Sequence, residues 1–175
     1  MFSFQAEDKK TIRVPYFEDA SRDEGWQGHT TTKSIKTLQS EIGNAVGRLG
    51  GIVSGYQQGM FQIDDVNRDG FQIHYSIQNP NGEYVPGRLD IAALPVRSKH
   101  DKNKKDKSLR MALFMLRNAL DGMWFMQQLS PGYAALMPWM IVSEGKTVSQ
   151  LWSESPIMSR LLPPGESEFI DGEVA

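Results

Sequence analysis

Between Ser98 and Arg110 the chain reads SKHDKNKKDKSLR, so thirteen residues carry Lys99, Lys102, Lys104, Lys105, Lys107 and Arg110. Cations at this density suit a phosphate backbone: each can displace a condensed counterion, with no reading of bases. A helix opened by the stretch would add free backbone N–H groups for the same anion. Lysines at a helix N-terminus also oppose the helix macrodipole, so the placement costs stability unless an anion offsets it. The competing reading is a solvated surface loop, in which Asp101 and Asp106 dilute the charge. Lys33 and Lys36, at the start of an earlier helical pattern, could join the same basic surface.

Other chemistries find less support. Asp65-Val66-Asn67-Arg68-Asp69-Gly70 matches the first half of a calcium loop, but the twelfth position, which needs an acid, holds Ser76. Asp, Asn and Gly are also what a hairpin turn uses. Gly145-Lys146-Thr147 has the ending of a phosphate-binding loop, yet Met140 stands where that loop needs glycine, and Thr147 reads better as a helix cap. His29, His74 and His100 are scattered without metal-ligand spacing. Asp64, Asp69, Glu83 and Asp90 fall on or near predicted strands, but no acid-x-lysine pair follows Asp90, and no serine sits in a nucleophile elbow. The chain has no cysteine, which excludes disulfides, thiolate metal sites and cysteine nucleophiles. The expectation is a protein without catalytic residues, metal or cofactor.

Two further sets of residues suit binding. Tyr56, Phe61, Tyr75 and Tyr84 lie on predicted strands, where exposed rings could stack bases and buried ones would be core. Met111, Phe114, Met115, Trp124 and Phe125 belong to a long apolar helix that also carries Met123 and Met126, an adaptable surface of the kind used at protein interfaces.

These residues need elements to position them. The 175 residues suffice for one well-cored domain, and 39% hydrophobic with 23% charged residues is a folding composition. The net charge of −2 means that any attraction to phosphate is local. Thr11 to Val14 reads as a short edge strand stopped by Pro15. Thr31 or Thr32 can cap a helix on which Ile35, Leu38, Ile42, Ala45, Val46 and Leu49 recur, and Gly50-Gly51 ends it. The period then becomes two: a strand from Ile52 to Ile63 with bulges or bends at Gly55 and Gly59, and a turn DDVNRDG. A second strand alternates Phe71, Ile73, Tyr75 and Ile77 with polar residues, and a third sets Leu89, Ile91 and Ala93 against Arg88 and Asp90. The long helix runs from about Lys107 to Leu129 and is apolar on most sides. An apolar run at Trp139–Val142, a turn at Ser143–Lys146 and a short helix over Thr147–Ser153 follow.

The predicted fold is α+β, a two-layer sandwich: helix, three-stranded antiparallel meander, long helix, then a small C-terminal strand and helix extension. The predicted organisation is an N-terminal edge strand and loop over 1–31, one α+β domain over 32–155, and a Pro-containing acidic tail over 156–175. The N-terminus lacks the pattern of a secretory signal, and the stretch Met111–Met126 is too short and too charged to span a bilayer. The expectation is a soluble cytoplasmic protein that does not bind membranes. The element order from Thr32 to Leu129 resembles that of double-stranded RNA-binding domains, over a longer span than such modules usually occupy. The resemblance is one of order, with Lys104-Lys105 the only matching residues, and it implies phosphate contact at the second helix. Two functions remain in view. One is a non-catalytic nucleic-acid-binding accessory protein that grips the phosphate backbone, of DNA or RNA, through the basic stretch. The other is a structural or adaptor subunit that assembles through the Met- and Trp-rich helix, as a homo-oligomer or within a larger complex.

Overall fold

The computed structural model describes residues 14–154. Thr11–Arg13 of the expected first strand and the expected acidic tail lie outside them, and Val14 is an exposed residue without regular structure.

Helix α1 spans Ile35–Arg48. Its cap is Ser34, not Thr31 or Thr32: Ser34 is extended, and its hydroxyl accepts the Thr37 N–H at 3.1 Å. Thr31 instead accepts the Lys33 N–H in a turn that precedes the helix. The apolar period puts Leu38, Ile42, Ala45 and Val46 on one buried face. Gly50, at φ 91°, takes the left-handed conformation that ends the helix.

Three antiparallel strands follow in the order β1 (Gly51–Ile63), β2 (Val66–Gln78) and β3 (Tyr84–Ala92). The register of β1 on β2 shifts only between Val53 and Gly55, so the bulge expected near Gly55 is present. Gly59 pairs regularly with Gly70 and makes none. The first hairpin is tighter than its sequence suggests. Only Asp64 and Asp65 form the turn, at φ 49° and 61°, and β2 begins at Val66. Aspartate tolerates this conformation, and two such residues match the twist of the flanking strands. The alternation on β2 is as expected, with Phe71, Ile73 and Tyr75 buried against the helices.

Helix α2 spans Lys102–Leu129, so it begins five residues before the expected start. The Asp101 carboxylate accepts the Lys104 N–H at 3.0 Å and caps it. Both helices cover one face of the sheet and run in the same direction, since Glu41 meets Arg117 and Arg48 meets Asp121. Leu38, Ile42 and Val46 of α1, Phe71, Ile73 and Tyr75 of β2, Leu89 of β3, and Leu113 and Leu120 of α2 form the core. The architecture is the two-layer α+β sandwich.

A C-terminal extension of β4 (Ile141–Ser143), β5 (Lys146–Thr147) and α3 (Val148–Glu154) joins the far edge of β3 through a bridge between Met140 and Gly87. Arg88 ties it down, donating to the Gly145 carbonyl and the Gln150 side chain. Residues Tyr16–Thr31 fold back on the other end. Phe17 N–H donates to the Pro95 carbonyl at 2.8 Å, and Gly28 lies against the Phe114 ring. No helix among the described residues is long and apolar enough to cross a membrane.

Candidate nucleic-acid interface

From Lys102 onward the basic stretch is helix, not loop, while Ser98–Asp101 stays outside it. Lys102, Lys104, Lys105 and Lys107 stand on the first two turns of α2, and Lys99 lies in the turn two residues before the cap, Asp101. At about 100° per residue, Lys102 and Lys105 share one side and Lys104 and Lys107 another. The lysines therefore ring the end of the helix like a collar. No acidic residue sits in the first turn of α2, so the Asp101 cap is the one carboxylate at the positive end of its dipole among the described residues of the helix start.

Their neighbours divide them. Lys104 lies 3.6 Å from Glu18 and 4.0 Å from its own cap, Asp101. Arg110 is paired with Asp106 at 2.9 Å, one turn earlier. Among the described residues Lys99, Lys102, Lys105 and Lys107 have no carboxylate partner. Lys36 is exposed and likewise unpaired, but Lys33 is engaged by Glu41, which also faces Arg117 near the middle of α2. Lys33 thus belongs to an ion-pair chain between the helices and not to the collar.

Beside the collar lies a cleft of about 380 Å³, which Lys99 and Lys105 line together with Arg68, Arg97, Asp65 and Asp69. Two of these residues carried no signal in the sequence. Arg68, in the expected turn, is on β2, and its guanidinium donates to the carbonyls of Ala93 (2.8 Å) and Ala92 (3.0 Å). Burial pushes its pKa below the usual arginine value, with Asp64 opposing the shift. Arg97 pairs with Asp19 and lies 5.2 Å over the Tyr16 ring. Both are engaged in holding the strand end and the N-terminal segment. On the floor, buried Ser108 donates to the Leu94 carbonyl at 2.8 Å and fixes α2 to the chain that enters it.

The aromatic residues do not join this surface. Tyr75 is buried, and its hydroxyl donates to the Leu136 carbonyl at 3.0 Å. Tyr56 donates to the Gln39 carbonyl on α1, and Phe61 lies over Gly70. Tyr84 is 64% exposed but opens β3, about 26 Å of strand from the end that leads to the collar. These four rings therefore do not form a platform for stacking bases beside the collar. The half calcium motif is drawn out along β2, with Asn67 opposite Gln62 and Asp69 opposite Met60. No group of three or more His, Asp or Glu among the described residues is placed to hold a metal ion. Thr147 accepts the Gln150 N–H at 3.3 Å, as a cap of α3 would.

Of the candidate interface residues on α2, Met111 is 1% exposed and belongs to the interior. Phe114 packs on Gly28 beneath Arg117, Met115 is half-buried, and Trp124 lies between Arg48 and Phe125. Phe125 alone of the five is exposed, at 56%, and Met126 and Leu129 beside it extend the patch.

No protein-family model, curated protein or solved structure matches the chain. The likeness to double-stranded RNA-binding domains accordingly stays one of element order.

Proposed function

We propose that the protein is a non-catalytic nucleic-acid-binding accessory protein that grips the phosphate backbone with the lysine collar of α2. The observation that carries this reading is a set of four cations, Lys99, Lys102, Lys105 and Lys107, that are unpaired among the described residues, around a helix end whose dipole disfavours them. Such an arrangement is stabilised by a bound anion, and a polyanion supplies several at once. Lys104 and Arg110 would have to exchange Glu18, Asp101 and Asp106 for phosphate, and Lys36 stands exposed on α1. Contacts to phosphate carry no sequence information, so affinity without sequence preference is expected.

The test is a fluorescence-anisotropy titration against labelled single-stranded DNA, duplex DNA and duplex RNA at low and near-physiological salt. Binding that weakens as salt rises, and that falls steeply when Lys102, Lys105 and Lys107 are changed together to Ala, supports the grip. No binding to any of the three at low salt would sink it.

The second reading, an adaptor subunit, is favoured by Phe125, Met126 and Leu129, which leave an exposed apolar patch at the far end of α2. It predicts that Phe125→Asp disrupts an assembly and leaves phosphate affinity alone, with circular dichroism showing that the fold survives.

A further inference from the structure

Lys99, Lys102, Lys105 and Lys107 have no carboxylate partner among the described residues. Carboxylates that could balance them are present in the sequence. From Leu161 onward the chain carries Glu166, Glu168, Asp171 and Glu173 and no lysine or arginine. Elsewhere no run uninterrupted by lysine or arginine holds more than two carboxylates. The opposite extreme is the collar: Arg97 to Arg110 holds seven cations against Asp101 and Asp106. The least compensated cations and the least compensated carboxylates of the chain thus lie on two separate segments.

The fold brings the second segment within reach of the first. α3 ends at Glu154, and its Gln150 accepts from Arg88 on β3. Six residues after Arg88, the Leu94 carbonyl accepts the Ser108 hydroxyl of α2, beside the collar. Along extended chain that path is about 20 Å. From Glu154 to Glu166 there are twelve residues, which can span up to about 40 Å.

We infer that the segment from Glu166 to Glu173 docks on the lysine collar and competes there with phosphate. Charge complementarity suits any acidic segment, and the tether selects this one: a linked partner acts at an effective concentration of millimolar order. The competition rests on the phosphate grip proposed above, whereas the docking does not. Exposed ion pairs are individually weak, so a polyanion that brings more charge displaces the segment and a single phosphate does not.

The test compares the full chain with the variant Glu166→Gln, Glu168→Gln, Asp171→Asn and Glu173→Gln. Backbone amide shifts of Lys99–Ser108, recorded by NMR at low salt without nucleic acid, read the docking and are expected to differ between the two proteins. Anisotropy against the same three labelled nucleic acids reads the competition. The variant is expected to bind about tenfold more tightly at low salt, with the gap closing as salt rises. Where the variant loses the wild-type circular dichroism spectrum, Glu166→Gln with Glu168→Gln takes its place. Coincident amide shifts overturn the inference even if the variant binds more tightly, because that gain would be general repulsion of phosphate by the acidic segment. Different shifts with equal affinities overturn the competition. Different shifts with no binding by either protein uphold the docking and sink the phosphate grip instead.

Discussion

Tyr75 and Gly87 show how tightly single residues are specified in this core. The two are paired across β2 and β3, and the Tyr75 ring occupies the space a side chain at Gly87 would need: an added Cβ would lie 2.2 Å from the ring carbon. Gly87→Ala is expected to cost about 3 kcal/mol, because neither the ring nor the strand can retreat, and the urea midpoint measures it. Burial also pushes the Tyr75 phenol up to about 12 from its ordinary value of 10. The folded chain therefore holds this proton longer than the unfolded chain does. Its contribution is complete below pH 10 and is lost as pH rises from about 10 to 12, a span worth on the order of 2–3 kcal/mol. Tyr75→Phe should flatten that part of the stability–pH curve relative to wild type. At neutral pH it should cost about 1–3 kcal/mol, because the Leu136 carbonyl loses its buried donor. Denaturation curves of both proteins from pH 8 to above 12 read both effects.

At the scale of the element, the start of α2 carries the functional question. Asp101 accepts a backbone N–H and stands at the positive end of the dipole, so Asp101→Ala should lower stability by about 1 kcal/mol. Lys102 and Lys105 have the opposite sign. Their replacement by Ala should leave stability unchanged or raise it by a few tenths of a kcal/mol while phosphate affinity falls. The change in stability follows from the dipole alone, so solvated lysines would show it too; only lysines that grip phosphate would show the loss of affinity. The true start of α2 was hard to read because Lys102–Lys107 contains no apolar residue, so the helical period first shows at Leu109. The hairpin after β1 was misread for a related reason: Asp, Asn and Gly fill both the turn and the first residues of β2. Where apolar residues recur, as on α1 and β2, both the element and its buried face were legible.

For the whole molecule, salt dependence is the measure of how many cations act together. Each phosphate neutralised contributes about 0.9 to the slope of log affinity against log salt for duplex DNA, so removing Lys102, Lys105 and Lys107 together should reduce that slope by about 3. A variant at Lys33, which is tied to Glu41, should leave the slope unchanged and shift stability instead. The net charge of −2 makes the collar a local feature of an otherwise weakly acidic protein. Long-range attraction to nucleic acid is therefore expected to vanish first as ionic strength rises.

The sequence by itself determined the succession of elements, the faces that are buried and the presence of a basic cluster, because these depend on period and composition along a short stretch of chain. The tertiary structure alone decided which cations remain free. Lys104, Arg110 and Lys33 lose their freedom to Glu18, Asp106 and Glu41, and two of those three partners are eight or more residues away. It also decided that Tyr75 is core and that Arg68 holds the end of a strand. Each of these is a matter of what lies beside a group in space, which periodicity along the chain does not encode.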